Sequence, residues 1–333
     1  MKIAFPIVIA SSGSDIYYTR LRDQLHRRGI QVEIIPLGYR YEFMPLLHRQ
    51  ILKKLASYDL VHTNAEYGYL FKVPGKPLVV TLHHNVLDPY YQQFTTLMQK
   101  IYHYGLLKTR LRKSLEVCTA AVCVSRATQQ SFSELFPEHR SKLSVIYNGI
   151  DLDIFKPMPD IYPAQKRLLL FVGNLSRRKG ADLLAPIMKK LGNDFELLSI
   201  GRMKSGLVLP SNIKNIPFVE LAQLPKYYNR AEMLLFPSRL EGFGYAVAEA
   251  MACGKPVVCG NRSSLPELVD NGTGGYLCDP DDIDGFVHCI RRITDTPGLG
   301  EEMGKYNRTK AQRLFAIEKM ADTYADLYHN CLQ

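Results

Sequence analysis

Short apolar runs alternate with amphipathic stretches along the whole chain, a pattern typical of parallel β-sheets built from βαβ units. Six strands are predicted in the first half, at 2–9, 31–36, 60–62, 78–82, 120–124 and 143–146. Six more are predicted in the second half, at 167–172, 196–200, 213–216, 233–236, 256–259 and 275–277. The pattern therefore predicts an α/β fold with two similar halves.

A proline-rich segment separates these halves. Residues 153–163 include three prolines within seven residues, which disfavours regular structure and indicates a linker. We expect an N-terminal domain at 1–155 and a C-terminal domain at 160–315. Apolar side chains near helical spacing predict a long closing helix over 311–332, and its part from 316 to 333 is expected to complete the first domain. Two domains imply a cleft.

The cellular compartment is predicted from the lack of a signal peptide, a membrane-spanning run and paired cysteines in the sequence. The apolar segment at 3–10 is similar to the core of a signal peptide, but its shortness and its interruption by Pro6 favour a buried first strand. No apolar run reaches the roughly 18 residues that span a bilayer. The seven cysteines form no CxxC pair and are expected to be reduced thiols. We expect a cytoplasmic protein, free or peripheral on the inner face of the membrane.

The chain is basic, with 42 Lys and Arg against 32 Asp and Glu and a formal net charge of +10. This excess favours an anionic partner such as a nucleotide, a phospholipid or a nucleic acid. Nucleic acid is not expected, because no recognised nucleic-acid module accompanies the charge. The basic, tyrosine-rich segment 90–113 favours an anionic membrane surface or a phosphorylated acceptor, with an ordinary solvated helix as the alternative.

The richest segment for chemistry is 237–254. It follows a predicted strand, turns through Gly242 and Gly244, and continues as a helix. Glycines ahead of a helix let the backbone approach a ligand, and the free amides of the first helical turn favour a phosphate. Glu241 in the loop and Glu249 in the helix can accept hydrogen bonds from hydroxyls of one extended ligand. Taken alone, two such glutamates are more often solvated charges.

A second glycine-bounded turn follows the predicted strand 167–172. It runs from Gly173 to Gly180 and carries Arg178 and Lys179. These cations can neutralise a departing diphosphate, which lowers the barrier to breaking a sugar–phosphate bond. A solvated basic loop is the plainer interpretation, but ligands gather at the carboxyl ends of parallel strands.

Two strand ends in the first half carry further candidates. Gly13 lies in a serine-rich turn whose amides can approach an acceptor or a diphosphate, although a plain turn is equally compatible. The turn is not GxGxxG, and no acidic residue ends the second strand, which argues against NAD. His83 and His84 follow the strand 78–82, where a lone histidine is more often a structural hydrogen-bonding group than a catalyst.

Together these segments resemble family 4 of the retaining glycosyltransferases, which have the GT-B fold. Glu241 and Glu249 match the E-x7-E motif of that family. The other matching motifs, spread over nearly the whole chain, are Asn148-Gly149-Ile150-Asp151, Gly173…Arg178-Lys179-Gly180, Pro237-Ser238…Glu241-Gly242-Phe243-Gly244, Gly254-Lys255-Pro256-Val257-Val258 and Pro266-Glu267-Leu268-Val269…Gly272-Thr273-Gly274-Gly275. The resemblance implies two facing Rossmann-like domains with an inter-domain cleft, and a nucleotide-sugar donor held mainly by the second domain.

The resemblance also implies roles for the donor-binding residues. Glu241 would hold hydroxyls of the donor sugar and Glu249 the ribose, while the amides of Phe243 and Gly244 would meet the diphosphate. His83, which matches the family better than His84, would reach the donor sugar.

The basic turn matches less uniformly. Lys179 is the principal cation expected there, and Arg178 is similar to the arginine of an Arg-Lys-Gly variant. Many relatives carry arginine directly after the glycine, where this chain has Asn174. Gly201 would border the same pocket, and Val219 would contact the base through its backbone. Glu267 is a weaker candidate, because such a residue is usually structural.

The function implied is transfer of a sugar with retention of anomeric configuration, without a covalent nucleophile. No cofactor and no metal are expected, because the D-x-D sequence at Asp151 and Asp153 belongs to a turn. The basic, tyrosine-rich segment 90–113 favours an acceptor hydroxyl that is lipid-linked or phosphorylated, in bacterial polysaccharide, lipopolysaccharide or glycolipid synthesis. The alternatives are a nucleotide-sugar epimerase of the same fold, a sugar phosphorylase and a non-catalytic nucleotide-sugar-binding protein.

Overall fold

The computed structural model describes residues 1–9, 13–38, 48–158, 166–203 and 209–333. The chain divides into two compact units. Unit 1 comprises Met1–Gly149 and Ile317–Gln333, and unit 2 comprises Ile150–Ala316. The division lies a few residues before the predicted linker, of which the part at 159–163 falls outside the described residues.

Residues 150–155 lie in unit 2 because they pack there. The N–H of Ile150 donates to the carbonyl of Phe315 at 2.7 Å, and the side chains of Ile150 and Phe155 are fully buried. The Phe155 ring meets the Tyr228 ring edge-on at 6.0 Å between centroids. Arg308 Nη1 donates to the Phe155 carbonyl at 2.8 Å. Burial of these two apolar side chains therefore sets the division earlier than the prolines predicted.

Unit 1 contains a six-stranded parallel sheet. Its strands are β1 (Lys2–Val8), β2 (Gln31–Leu37), β3 (Leu60–Asn64), β4 (Leu78–Leu82), β5 (Ala120–Cys123) and β6 (Leu143–Val145). Their order is β2-β1-β3-β4-β5-β6, with all neighbours parallel. The helices between them are α1 (Gly13–Arg27), α2 (His48–Leu55), α3 (Leu97–Ile101), α4 (Lys108–Val117) and α5 (Arg126–Leu135). Short 3₁₀ helices occupy Gly68–Phe71, Tyr91–Phe94 and Pro137–Lys142, and a π-helix occupies Tyr102–Leu107.

Unit 2 also contains a six-stranded parallel sheet, with a different strand order. Its strands are β7 (Arg167–Val172), β8 (Phe195–Ile200), β9 (Ile213–Ile216), β10 (Met233–Phe236), β11 (Val257–Gly260) and β12 (Gly275–Cys278), in the order β12-β11-β10-β7-β8-β9. Its helices are α6 (Ala181–Leu191), α7 (Leu224–Arg230), α8 (Tyr245–Ala252), α9 (Leu265–Leu268), α10 (Ile283–Asp295) and α11 (Leu299–Leu314). A 3₁₀ turn occupies Arg177–Lys179. The α/β fold with two parallel sheets is confirmed, and all twelve predicted strands are present.

The strands were recognisable because the sheets are buried on both faces. In β1, Ala4 and Val8 belong to one apolar cluster, while Ile3 and Phe5 belong to another. Successive side chains of a strand point to opposite faces, so the two clusters lie on the two sides of the sheet. A strand in this position has to be apolar throughout rather than alternating.

The prediction of one continuous helix over 311–332 is wrong. α11 ends at Leu314, and α12 (Ile317–Leu332) begins after a break at Phe315 and Ala316. The break has a tertiary cause, because the buried Phe315 ring packs edge-on against Phe243 at 5.5 Å and Ala316 forms a β-bridge with Ile150. α12 lies in unit 1, where Tyr324 and Tyr328 are fully buried.

The basic, tyrosine-rich segment 90–113 is helical but built from several pieces. It includes the 3₁₀ helix Tyr91–Phe94, then α3, the π-helix and the start of α4. Each helix within the described ranges is too short or too polar to cross a membrane.

Candidate functional site

The turn between β7 and α6 carries two of the predicted cations. The 3₁₀ turn Arg177–Lys179 begins after Ser176, whose side chain accepts a hydrogen bond from the Lys179 N–H at 3.4 Å. Gly180 ends the turn with φ +73°, and a Cβ there would lie 2.0 Å from the Pro237 carbonyl oxygen. Only glycine allows this turn to lie directly against the loop after β10.

That close approach brings Lys179 and Arg178 to Glu241. Lys179 Nζ lies 2.6 Å from Glu241 Oε1, and Arg178 Nη1 lies 3.6 Å from the same oxygen. Ser238 Oγ also donates to Oε1 at 2.6 Å. The Glu241 side chain is 8% exposed and that of Lys179 is 17% exposed. Two glycine-bounded loops, about 60 residues apart in the chain, thus form one buried charged cluster.

Burial and charge act against each other in this cluster. Burial alone would raise the pKa of Glu241, but Lys179 and Arg178 together lower it below its ordinary value. Burial lowers the pKa of Lys179; the Glu241 carboxylate opposes this shift and Arg178 adds to it. The carboxylate therefore stays ionised well below neutral pH, while the lysine loses its proton more readily than a solvated one.

Arg239 joins the basic turn to the loop after β10. Its N–H donates to the Arg178 carbonyl at 2.9 Å, and its Nη1 donates to the Arg177 carbonyl at 2.6 Å. The guanidinium, 2% exposed, pairs with Asp182 at 2.8 Å and Asp281 at 2.7 Å. Burial alone would lower the pKa of Arg239, but hydrogen bonds to both carboxylates raise it above its ordinary value. Arg239 therefore stays charged and holds the backbone of the turn in place.

Two serines hold the backbone of the glycine loop. The N–H of Glu241 donates to Ser263 Oγ at 2.8 Å. Ser264 Oγ donates to the carbonyl of Phe243 at 2.8 Å and to that of Glu241 at 3.1 Å. Ser263 has φ +51° and is the non-glycine residue of the described ranges with positive φ. Such strain persists only where the surrounding contacts impose it.

The glycine loop leads directly into α8. Gly244 has φ +101° and is the N-cap of that helix. Phe243 is 3% exposed, and its ring packs edge-on against Tyr245 at 5.7 Å. The Phe243 side chain therefore belongs to the core, and its backbone amide is the group suited to a ligand. Gly242, which lies between Glu241 and Phe243, is half-buried.

Glu249 lies one and a half turns along α8. It is 5% exposed, and its Oε2 accepts a hydrogen bond from the Tyr228 hydroxyl at 3.0 Å. A buried carboxylate needs such hydrogen bonds to remain stable. Tyr228 thus orients the predicted ribose-binding group from the neighbouring helix α7.

The ends of β7 and β8 meet at two glycines. Gly173 has φ +148° and Gly201 has φ +149°, and a Cβ on Gly201 would lie 2.2 Å from the Gly173 carbonyl oxygen. A Cβ on Gly173 would lie 3.7 Å from Lys179 Cε. Asn174 Oδ1 accepts a hydrogen bond from the Arg202 N–H at 3.2 Å. The structure therefore brings Gly173, Gly201 and Lys179 together. The Asn174 side chain holds the backbone amide of Arg202, the residue after Gly201.

Two further candidates of unit 2, Val219 and Glu267, and the D-x-D sequence remain. Val219, half-buried, follows β9 in a loop next to Phe218, which is 76% exposed. Glu267 lies in the short helix α9. Asp151 Oδ1 accepts hydrogen bonds from the N–H groups of Asp153 and Ile154, so the D-x-D sequence forms a local turn.

His83 lies in unit 1, directly after β4. Its Nε2 lies 3.1 Å from Asn64 Oδ1, at the end of β3. Asn64 Nδ2 donates to the Tyr67 hydroxyl at 2.9 Å, which orients the amide. Because an amide oxygen only accepts, Nε2 of His83 carries the proton and Nδ1 is the acceptor. Burial and the nearby His84 lower the pKa of His83 to about 3, so the ring is neutral.

Next to His83 lies a buried group of tyrosines that the sequence did not single out. His62 Nδ1 lies 2.6 Å from the Tyr328 hydroxyl, and its Nε2 lies 2.7 Å from Thr81 Oγ1. Tyr17 hydrogen-bonds to Tyr324, and its ring packs edge-on against His83 at 5.1 Å. Burial and His83 lower the pKa of His62 to about 3.

Gly13 begins α1, and the serines at 11 and 12 lie outside the described residues. The predicted roles of Gly13, His83 and the residues of unit 2 stay predictions. Sequence reasoning missed Arg239, Tyr228 and Asn64, each of which holds a predicted residue. The sequence could have indicated Arg239 and Asn64. Each lies at or just beyond the carboxyl end of a strand, where ligand-binding residues gather.

Two family models match the chain. Residues 160–310 match the model described as Glycosyl transferases group 1, and residues 35–154 match Glycosyltransferase Family 4. A D-inositol 3-phosphate glycosyltransferase of Streptomyces avermitilis is 27% identical over 320 residues, covering 83% of this chain. The chain spans 66% of that relative's length, slightly under two thirds.

Solved structures share the fold. Sucrose-phosphate synthase from Thermosynechococcus elongatus has a TM-score of 0.84 at 20% identity, covering 99% of both chains. Anabaena Alr3699/HepE, solved in complex with UDP and glucose, has a TM-score of 0.79 at 20% identity, covering 99% of this chain and 100% of that one. These likenesses confirm the GT-B class. With family models matching most of its length, the chain belongs to family 4 of the glycosyltransferases.

Proposed function

We propose that the protein is a retaining glycosyltransferase that moves a sugar from a nucleotide-diphosphate sugar to an acceptor hydroxyl. The observation that carries the proposal is the buried contact of Lys179 with Glu241, beside Arg178. Cations suit a diphosphate and a carboxylate suits sugar hydroxyls, so the cluster suits a ligand that has both. Anabaena HepE was solved with UDP and with UDP-glucose, which makes a UDP-sugar the first donor to test.

In the proposed reaction the bond between the anomeric carbon and the diphosphate oxygen breaks. The acceptor oxygen bonds to the anomeric carbon from the same face, and its proton leaves with the nucleoside diphosphate. Lys179 and Arg178 stabilise the charge that develops on the diphosphate, with the amides of Phe243 and Gly244. One such donor contributes about 10²–10³-fold to the rate. Because Lys179 already touches Glu241, we expect its ammonium to lie between the carboxylate and the arriving phosphate.

Three further side chains position the donor. Glu241, whose pKa is lowered, accepts hydrogen bonds from sugar hydroxyls, and Glu249 accepts them from the ribose while Tyr228 holds one of its oxygens. His83 presents a neutral Nδ1 acceptor to the sugar because Asn64 binds the proton on Nε2. Gly13, Gly173, Gly201 and Asn174 let the backbone approach the donor, and Val219 meets the base.

The reaction is proposed to need no cofactor and no metal, because Lys179, Arg178 and backbone amides supply the charge stabilisation. Activity should therefore be unchanged by a chelator. We further propose that the acceptor is lipid-linked or phosphorylated and that transfer takes place on the cytoplasmic face of a membrane, in polysaccharide, lipopolysaccharide or glycolipid synthesis.

The test begins with a thermal-shift screen of UDP, GDP, ADP and their sugars. A ligand at 100 times its dissociation constant adds about 2.7 kcal/mol of apparent stability. The Lys179→Ala and Glu241→Gln variants are then compared with Lys189→Ala, which removes an exposed lysine of α6. Full binding and turnover by both site variants would refute the assignment. Incubation with donor alone separates the alternatives, because an epimerase converts the donor without an acceptor and a binding protein leaves it intact.

A further inference from the structure

An exposed apolar surface lies on the helical segment between Thr96 and Lys108, outside the proposed donor site. Leu97 and Met98 are each 74% exposed, and Ile101 is 59% exposed. The other exposed members are Tyr102, Tyr104 and Leu106. We call these six residues the apolar face. Single exposed apolar side chains are ordinary, but a contiguous group marks an interaction site.

Helical spacing places this face on one side of the segment. Leu97 and Ile101 are four residues apart, as are Met98 and Tyr102, so each pair lies along one edge of the helix. The opposite side is defined by His103 and Leu107, which are buried. The segment is therefore amphipathic, with its apolar residues divided between the core and the surface.

The segment is also held firmly in unit 1. Thr96 and Gln99 form a capping box at the start of α3. Gln92 Nε2 donates to His103 Nδ1 at 2.9 Å, and both side chains are buried. Ser114 Oγ, in the following helix, accepts from the Tyr69 N–H at 2.9 Å. The exposed side chains thus project from a fixed scaffold rather than from a loose loop.

The charged residues along the segment that carries the face have one sign. No acidic residue occurs between Asp88 and Glu116, a stretch that contains Lys100, Lys108, Arg110, Arg112 and Lys113. Lys100 and Lys108 are half-buried, and they lie four residues before and after Tyr104. Both lysines therefore belong to the helical segment that carries the apolar face, one on each side of the π-helix Tyr102–Leu107.

We infer that the apolar face docks on an anionic lipid bilayer. Its leucines, methionine and isoleucine enter the boundary between headgroups and acyl chains, the tyrosines lie at the headgroup level, and Lys100 and Lys108 meet lipid phosphates. A second copy of the chain fits less well, because a two-fold contact here would bring the same lysines together. The inference rests on the proposed function in one respect only: docking would bring the active site to a lipid-linked acceptor.

Binding is measured without donor or acceptor, so that it is independent of transfer. The full chain is sedimented with phosphatidylcholine vesicles that contain either no anionic lipid or about 30 mol% phosphatidylglycerol. We expect binding to the anionic vesicles, weakened on raising NaCl from about 0.1 M to about 0.5 M. The variants Leu97→Ser/Met98→Ser/Ile101→Ser and Lys100→Glu/Lys108→Glu should each raise the dissociation constant by about tenfold or more.

A matched control removes the same number of exposed apolar residues elsewhere. The variant Val117→Ser/Leu221→Ser/Leu332→Ser should bind vesicles as the unaltered chain does. Insertion itself can be observed because the chain contains no tryptophan. A Met98→Trp variant should show a blue shift with anionic vesicles and quenching by brominated acyl chains, while Leu332→Trp should show neither.

Two results would overturn the inference. One is absence of binding to anionic vesicles. The other is equal vesicle binding by the serine triple variant; if that variant also changes the oligomeric state, the face is a contact between protein copies. Neither result bears on UDP binding by calorimetry, so the proposed function stands or falls separately.

Discussion

The two sheets are both six-stranded and parallel, but the side chains at their carboxyl edges differ in chemistry. At the edge of unit 2, Lys179, Glu241 and Arg239 are ionised and paired at distances below 3 Å. In unit 1, His83 directly follows β4 and His62 lies in the middle of β3, and both are neutral and hydrogen-bonded to uncharged partners. We call the first group the charged edge and the second the neutral edge.

The difference shows that the sheet edge decides where polar groups lie, and the side chains decide what they can bind. The charged edge keeps its cations buried by pairing them, which suits an anionic ligand. The neutral edge carries hydrogen-bonding groups of fixed direction without net charge, and among them the half-buried His83 is suited to a hydroxyl group. Four predictions test this contrast, from the largest effect to the smallest.

Removing a cation from the charged edge should have the largest effect. Lys179→Ala should lower kcat/KM for transfer by about 10³-fold, because a charge aimed at the leaving diphosphate is lost. Steady-state kinetics with the identified donor measures it. Tyr17→Phe, a change at the neutral edge, should lower kcat/KM by less than about tenfold. Equal losses in both variants would break the contrast.

A substitution that disturbs the turn at the charged edge should have the second largest effect. Gly180→Ala forces a positive φ on alanine and places its Cβ 2.0 Å from the Pro237 carbonyl oxygen. We expect a loss of about 3 kcal/mol in the free energy of unfolding and weaker UDP binding. Urea unfolding and calorimetry measure these. Gly298→Ala also meets a left-handed backbone but open space, so it should cost about 1 kcal/mol and leave UDP binding intact.

Acid should affect the neutral edge before the charged one. The pKa of His62 is about 3 in the folded protein and about 6.5 when unfolded, so the unfolded chain takes up a proton first as pH falls. The contribution of the neutral, buried His62 to the free energy of unfolding is therefore fully present above pH 6.5 and is lost as the pH falls from 6.5 to 3. We expect His62 to cost about 2 kcal/mol at pH 5 relative to pH 7.

The His62→Gln variant should lack that part of the pH dependence, as measured by urea unfolding at both pH values. Glu241 behaves differently, since its pKa is lowered and its contribution is lost only below its ordinary range near 4.5. A slope between pH 7 and 5 that is unchanged in His62→Gln would contradict the burial argument.

A single hydroxyl of the neutral edge should have the smallest effect. Tyr328→Phe leaves His62 Nδ1 buried without its hydrogen bond, which should cost about 1 kcal/mol. Tyr276→Phe, at a partly exposed tyrosine, should stay within about 0.5 kcal/mol of the unaltered chain. Thermal unfolding of the two variants under the same conditions measures these changes in stability.

All twelve strands of the described residues were predictable, most of them because a strand buried on both faces of a parallel sheet leaves an uninterrupted apolar run. The break between α11 and α12 was not, since Phe315 and Ala316 continue the helical spacing and only contacts with Phe243 and Ile150 end the helix there. Tertiary contacts here override a local pattern.

The candidate site was predictable where it follows strand ends. Lys179 and Glu241 were each placed at such an end, but their 2.6 Å contact depends on how two loops meet. Arg239 was missed for the same reason, since its carboxylate partners lie 57 and 42 residues away. Sequence patterns indicate which edge carries chemistry, whereas pairings between distant loops appear only in the folded chain.

The return of α12 to unit 1 affects the order in which the protein is made. Unit 1 is started first, yet Tyr324 and Tyr328, which complete its buried hydrogen bonds, are synthesised after all of unit 2. Unit 1 therefore cannot finish folding before the whole of unit 2 has been synthesised, and until then one face of its sheet stays incompletely covered.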